Sequence, residues 1–395
     1  MTKSKSILIG AGFSAPIGYP IGNKLNDLLV NCKGDDFAFH TSGKLTISSD
    51  GKKPNFGYKT SYDISFDFCI ALIQLFNTRK GYFDYEKFYD FILDEAHKDE
   101  EVKEVAKPFV GQFGTVDQLL FSLKNIYNMV VAHYIKDNDE KKWYDDEPYM
   151  SGPILPGYSG FLNSLKTLHA DIDVVNVHTL NHDMFFERLN ATEWIAGELC
   201  DGFEELGSPY FGQLLVKGRE YNCRLARYTG QYTRKYRLYK LHGSFDYGVY
   251  YKMNGATAVP ETYIKSRWGI GFSKLLKETV DEKGNLYYEN CLVNYHADFL
   301  TGTTSKIERY KEPLLYKRLF QMFRENLNQT ESLTVIGYGC KDSEVNKMII
   351  ENFDHKTKPS FIIDPFPSNT VKEFRNSIGA KLIEKHLEDI TIEDF

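Results

Sequence analysis

Five short apolar runs punctuate the chain: Lys5–Ile9, Asp173–Thr179, Tyr236–Leu241, Ser332–Ile336 and Ser360–Ile363. Each is bounded by polar or turn residues, the pattern of a strand buried on both faces. A sixth run, Lys381–Ile383, fits an edge strand. Between and around them apolar positions recur at helical spacing, over Ile21–Val30, Gly160–His169, Met184–Leu189, Leu314–Leu327, Val345–Phe353 and Val371–Ile378. Strand followed by helix, repeated, predicts an α/β fold: a Rossmann-like doubly wound parallel sheet with helical insertions.

The pattern breaks twice. Residues 33–172 read as a mainly helical insertion. Lys33–Lys59 is polar, with a small hairpin expected at Lys44–Ile47. Tyr62–Leu75 and Asp84–Glu95 have helical periodicity, and Asp117–Ile135 places Leu119, Leu123, Ile126, Tyr127, Val130 and Val131 on one broad face. Lys136–Glu147 is a charged connector. Residues 191–235 form a second expected insertion, ending in a basic stretch, 217–237, with Arg219, Arg224, Arg227, Arg234 and Lys235. That stretch suits an acidic partner, nucleic acid or a solvated surface; the last is favoured and direct nucleic-acid binding is left open. The chain is expected to be one domain, 1–395, carrying these two insertions.

Composition narrows the classes. A net charge of −6 excludes a general electrostatic grip on nucleic acid. The surplus of aromatics, 27 Tyr and 28 Phe, fills a core but also suits a wide protein interface. The six cysteines are dispersed, with no Cys-x-x-Cys half-site for zinc and no disulfide framework. No run has the length of a membrane span and no secretory leader is recognisable, so a cytoplasmic setting is expected, without membrane contact.

The chemistry lies where the strands stop. The runs end in Gly10-Ala11-Gly12-Phe13-Ser14, Leu180-Asn181-His182-Asp183, His242-Gly243-Ser244, Gly337-Tyr338-Gly339 and Asp364-Pro365. In a parallel sheet all five open onto one edge, where such folds bind ligands. Taken alone, Gly10-x-Gly12 is an incomplete dinucleotide fingerprint, because Ala15 stands where a third glycine belongs. A tight turn between strand and helix explains that stretch equally well.

Taken together and in order, these motifs, with Thr179 before the second and Lys240-Leu241 before the third, resemble those of the sirtuin (Sir2-like) superfamily. The resemblance implies that Gly10, Ala11, Gly12 and Ser14 hold the pyrophosphate of NAD+. It implies that Asn181 positions the attacking group at the nicotinamide ribose, that Asp183 lies near the carboxamide, and that His242 is a general base. Gly337 and Gly339 would admit the adenosine half, and Asp364 would reach its ribose. Asp342 is favoured as a helix cap, and His178 and His182 as local polar contacts. The residue types suit the chemistry. Nicotinamide leaves NAD+ as a neutral molecule, so the site must stabilise an oxocarbenium-like ribose and supply a nucleophile, tasks for a near-neutral imidazole and a two-way amide.

The departures are informative. Protein-deacylating sirtuins carry a zinc module with two cysteine pairs, which this chain lacks, and Leu180 stands where they have a glutamine. The zinc-free pattern is similar to bacterial Sir2-like effectors of anti-phage defence, which hydrolyse NAD+ and exhaust the infected cell. That resemblance implies NAD+ as substrate, no metal, a homo-oligomer, and a regulatory partner such as a HerA-type ATPase or an Argonaute-like protein. An NAD-dependent deacylase or ADP-ribosyltransferase, and a non-catalytic NAD or ADP-ribose sensor, are the alternatives.

Overall fold

The computed structural model describes residues 3–40, 45–46, 58–135, 155, 157–267, 270, 275–290, 292–293, 297–303 and 305–395. Its centre is a seven-stranded sheet. In chain order the strands are β1 (Ser4–Ile9), β2 (Val174–Thr179), β3 (Leu199–Cys200), β4 (Tyr236–Lys240), β5 (Ser332–Ile336), β6 (Ser360–Ile363) and β7 (Lys381–Ile383). Across the sheet they run β7-β6-β5-β1-β2-β4-β3, and every pairing is parallel. The order runs outward in opposite directions from β1, which makes β1 the switch point of a doubly wound sheet.

Alternation along the strands builds two cores. Ile7, Ile9, Val175 and Val177 face the helix Ser159–Asp171 and the short helix Phe185–Leu189. Leu8, Leu333, Val335 and Ile362 face the helices Tyr316–Gln329, Ser343–Asn352 and Asn369–Ile378. A strand covered on both faces has no solvent side, and this is why these runs are nearly all apolar in sequence.

The long helices of the region between β1 and β2 have a third core of their own. Ser61–Lys80 starts with a capping box: Thr60 Oγ1 accepts from the Asp63 amide at 3.1 Å, and Asp63 Oδ2 accepts from the Thr60 amide at 2.8 Å. Gly81, at φ +71°, ends it. Tyr85–Asp90 continues as one wider π turn, Phe91–Glu95. The helix Glu100–Phe113 has no counterpart in the periodicity reading, because Pro108 sits inside it and a proline ordinarily ends a helical pattern; Asp99 caps it and Val102 and Ala106 are buried. Val116–Ile135 then supplies the broadest apolar face. The expected hairpin is seen as Ala38–Phe39 paired with Leu45–Thr46; Lys44, Ile47 and the connector 136–147 lie outside the described residues.

Residues 191–235 hold edge strand β3 and several short strands that pair far along the chain. Tyr210–Val216 pairs with Arg219–Arg224 and with Leu275–Val280. Ala226–Tyr228 pairs with the hairpin Tyr247–Asn254/Thr257–Lys265. Several of the basic side chains are engaged within the chain: Arg224 donates to the Ser208 carbonyl, Arg234 to that of Gly197 and Lys235 to that of His169.

Candidate active site

Parallel register aligns the strand ends. Ile9 is level with Thr179 and Ile336, Thr179 with Lys240, and Ile336 with Ile363. The turns after β1 and β5 touch there. The Gly10 amide donates to the Ile336 carbonyl at 3.0 Å and the Gly12 amide to that of Gly337 at 2.9 Å. A Cβ on Gly10 would lie 2.6 Å from Tyr338 Cα, and one on Gly337, at φ +59°, only 2.3 Å from the Phe13 nitrogen. These two glycines are therefore demanded by the contact between turns, whatever ligand binds. Gly339 differs: it is exposed, and nothing lies within 4 Å of where its Cβ would be. Asp364 is at the same edge, its Oδ1 accepting from the Phe366 amide at 2.8 Å.

Asn181, Ser14 and Asp183 form one buried chain of hydrogen bonds. Asn181 Nδ2 donates to the Gly10 carbonyl at 3.0 Å and to Ser14 Oγ at 2.9 Å. Ser14 Oγ donates to Asp183 Oδ2 at 2.6 Å, and Asp183 Oδ1 accepts from the Phe185 amide at 3.0 Å. With both amide hydrogens used, Asn181 keeps Oδ1 as an acceptor that no described residue engages. Burial lifts the Asp183 carboxyl above the usual carboxylate range, against the opposing pull of Lys240 and Ser14. Lys240 is 1% exposed and lies beneath this turn. It donates to the Asp183 backbone carbonyl and meets Glu187 Oε1 at 3.0 Å. Glu187 also faces Lys265 at 3.1 Å, and Lys265 in turn reaches Asp201.

A cavity of about 90 Å³ opens beside this chain. Ala11, Ser14, Asn181, His182 and Asp183 form its polar wall. Leu25, Tyr85, Val131 and Ile135 form an apolar wall opposite, the last three from the helices that precede β2. His182, read from sequence as a local contact, is on the polar wall. Its Nδ1 lies 3.3 Å from the Gly243 carbonyl oxygen, and burial together with nearby His242 pushes its pKa down to about 3.

His242 is not on that wall. The segment 297–303 packs over it: the Leu300 amide donates to the His242 carbonyl at 2.7 Å, and Gly243 bridges to Phe299. His242 Nε2 lies 3.4 Å from Asp342 Oδ2 and 3.5 Å from Tyr310 Oη. Asp342 is the cap that the sequence suggested, its Oδ1 accepting from the Glu344 and Val345 amides at 3.1 and 3.2 Å. Its other oxygen faces His242, Lys306 at 3.0 Å and Tyr310 at 3.2 Å. Lys306 continues to Glu86, 3.2 Å away on the helix Tyr85–Asp90. Burial opposes ionisation of Asp342, but His242 and Lys306 hold it well below the usual carboxylate range. Burial lowers the pKa of His242, Asp342 pulls it back up and Lys306 pushes it down. The balance lies below the ordinary imidazole value, which favours the neutral ring.

The strand-end reading thus meets a site in two parts: the Asn181–Ser14–Asp183 chain on the cavity, and the His242–Asp342–Lys306–Glu86 chain beside it. Asp342 had a visible signal, its place just after the Gly337-Tyr338-Gly339 turn, though only its capping role was read there. Lys306, Glu86 and Tyr310 have none, since they are brought in by tertiary packing alone. Among the described residues no group of three or more His, Cys, Asp or Glu side chains could hold a metal ion, and no helix is long and apolar enough to cross a membrane.

No protein-family model and no curated protein matches the sequence. Among solved structures, the chain is similar to one described under the mechanism and regulation of Sir2 enzymes, at 12% identity and TM-score 0.34, covering 99% of this chain and 91% of that one. It is similar to a Sir2 homologue in complex with NAD, at 10% identity and TM-score 0.34, covering 99% and 88%. It is also similar to a Sir2 protein bound to a propionylated peptide, at 9% identity and TM-score 0.31, covering 98% and 89%.

Proposed function

We propose that this protein is an NAD+ glycohydrolase that cleaves NAD+ to nicotinamide and ADP-ribose. The observation that carries the reading is the Asn181–Ser14–Asp183 chain. It commits both amide hydrogens of Asn181 and leaves Oδ1 beside the cavity, poised to accept a hydrogen bond from an attacking water or a ribose hydroxyl. A fixed acceptor at that point also favours positive charge developing on the ribose. Asp183, buried at the cavity wall, suits a hydrogen bond with a carboxamide. His242 serves as the base, reached when the segment 297–303 that separates it from the cavity shifts; the glycine turns after β1 and β5 flank the pyrophosphate, and Gly339 and Asp364 take the adenosine half.

A freely active enzyme of this kind would poison its host. The role proposed is therefore that of a toxic effector in anti-phage defence, controlled by self-assembly or by a partner of the HerA or Argonaute-like kind. The helices Tyr85–Asp90 and Val116–Ile135 roof the cavity, so an assembly that moved them would change access. The apolar wall favours a second reading: Leu25, Tyr85, Val131 and Ile135 would suit an acyl chain, as in a protein deacylase.

Product analysis separates the two. The chain, alone and with candidate partners, is incubated with NAD+ and with NAD+ plus an acylated peptide, and nicotinamide, ADP-ribose and O-acyl-ADP-ribose are followed. Free ADP-ribose formed without peptide, and lost in Asn181→Ala, is the expected result. Turnover only with peptide, and no free ADP-ribose, would make the chain a deacylase. Full phage protection by both Asn181→Ala and His242→Ala would point to a sensor.

A further inference from the structure

Resting on the reading of His242 as the base, we propose that Asp342 is its positioning residue: Oδ2 of Asp342 fixes the proton on His242 Nε2, so that Nδ1 is the nitrogen that works. Within 3.5 Å of Nε2 lie two oxygens, Asp342 Oδ2 and Tyr310 Oη. Tyr310 donates its own hydrogen to the same Asp342 oxygen at 3.2 Å, so its oxygen faces Nε2 as an acceptor. Both neighbours therefore call for an N–H at Nε2, which makes Nδ1 the lone-pair nitrogen of the neutral ring. Nδ1 accepts from no described residue. A proton taken from water or a ribose hydroxyl goes to Nδ1, and the imidazolium that results lies against the Asp342 carboxylate.

Asp342 is itself held from two sides. Helix-cap amides bind Oδ1, and Lys306 and Tyr310 bind Oδ2. Glu86 anchors Lys306 from the roof helix, so the roof and the base share one ion chain. The cap also dictates what an amide would do. In Asp342→Asn the cap amides keep the side-chain oxygen, so the NH2 group must face Nε2. A donor there moves the ring proton to Nδ1 and removes the working lone pair.

The test is long-range proton–nitrogen NMR on the full chain labelled with 15N-histidine, with His242 assigned by the resonance missing in His242→Gln. The wild type is expected to carry its proton on Nε2, and Asp342→Asn on Nδ1, with a lower Tm because the buried Lys306 loses a charged partner. NAD+ cleavage by Asp342→Asn should fall about 10²- to 10⁴-fold in kcat with KM nearly constant. A wild-type proton on Nδ1, or the same tautomer in both proteins, would overturn the proposal. If the variant does not fold, the wild-type spectrum alone decides. A wild type that never cleaves NAD+ would overturn the glycohydrolase reading and Nδ1 as its base, a result distinct from either tautomer.

Discussion

His178 offers a test of the core that needs no substrate. It lies in the middle of the sheet on β2, fully buried, and neither ring nitrogen has a hydrogen-bond partner among the described residues. Its ring stacks on Tyr239, centroids 4.8 Å apart, and tilts against Phe323 at 4.7 Å. Burial pushes its pKa from 6.5 down to about 3. The sign follows from proton counting. Between pH 6.5 and about 3 the unfolded chain holds this proton and the folded chain does not, so stability falls as pH falls through that window. At 1.36 kcal/mol per pH unit the whole window is worth about 5 kcal/mol, and the part between pH 6.5 and 4.5 about 2–3 kcal/mol. At about 2.1 cal/mol/K per residue, a chain of 395 residues loses about 1 °C of Tm per kcal/mol. His178→Phe keeps the ring stack and removes the titration. Its Tm should therefore drop about 3 °C less than that of the wild type between pH 6.5 and 4.5, measured by calorimetry. At pH 7.5 two effects oppose: relief of the unpaired nitrogens, and crowding by the larger ring. The slope is consequently the readout. Parallel Tm curves would refute the reasoning, because His182 and every carboxylate are common to both proteins.

Two further outcomes follow from the site. Gly337→Ala should lose about 1–2 kcal/mol to left-handed backbone strain and about 1–3 more to collision with Phe13, while Gly339→Ala stays within about 0.5 kcal/mol of the wild type. Chemical denaturation measures both, and equal losses would contradict the turn-to-turn contact. Lys240→Met should cost about 3 kcal/mol, near the low end for a broken buried pair because Lys265 still faces Glu187, and Lys240→Arg should recover part of it. An unchanged denaturation midpoint for Lys240→Met would show that the buried ammonium contributes nothing.

Much of the scaffold is legible in the sequence. Runs such as Ile7–Ile9 and Val174–Val177 must be buried strands, since only a strand covered on both faces is apolar at nearly every position. Their alternation with helices implied the parallel doubly wound sheet that the pairings display. The helix Glu100–Phe113 escaped because Pro108 stands inside an otherwise regular apolar period, where a proline ordinarily stops a helix. Tyr210–Val216 and Arg219–Arg224 form a local hairpin whose exposed, charged second strand hid it, whereas Phe203–Glu204 and Ala226–Tyr228 escaped because they pair with residues removed in sequence, beyond the reach of a local pattern.

By itself, the sequence determined which strands stop in which polar turns, because a strand's apolar run and its turn are neighbours in the chain. Gly10, Asn181, His242 and Gly337 could be marked in this way. Only the tertiary structure decided what those residues touch. It put Gly337 against Phe13, tied both hydrogens of Asn181 to the first turn, and set His182 on the cavity wall with His242 behind the segment 297–303. It also joined Glu86 to His242 through Lys306 and Asp342 across more than 150 positions of sequence. The physical reason is that burial and ion pairing depend on distance in space. A charge such as Glu86 reads as solvated in sequence until the fold brings Lys306 within 3.2 Å of it.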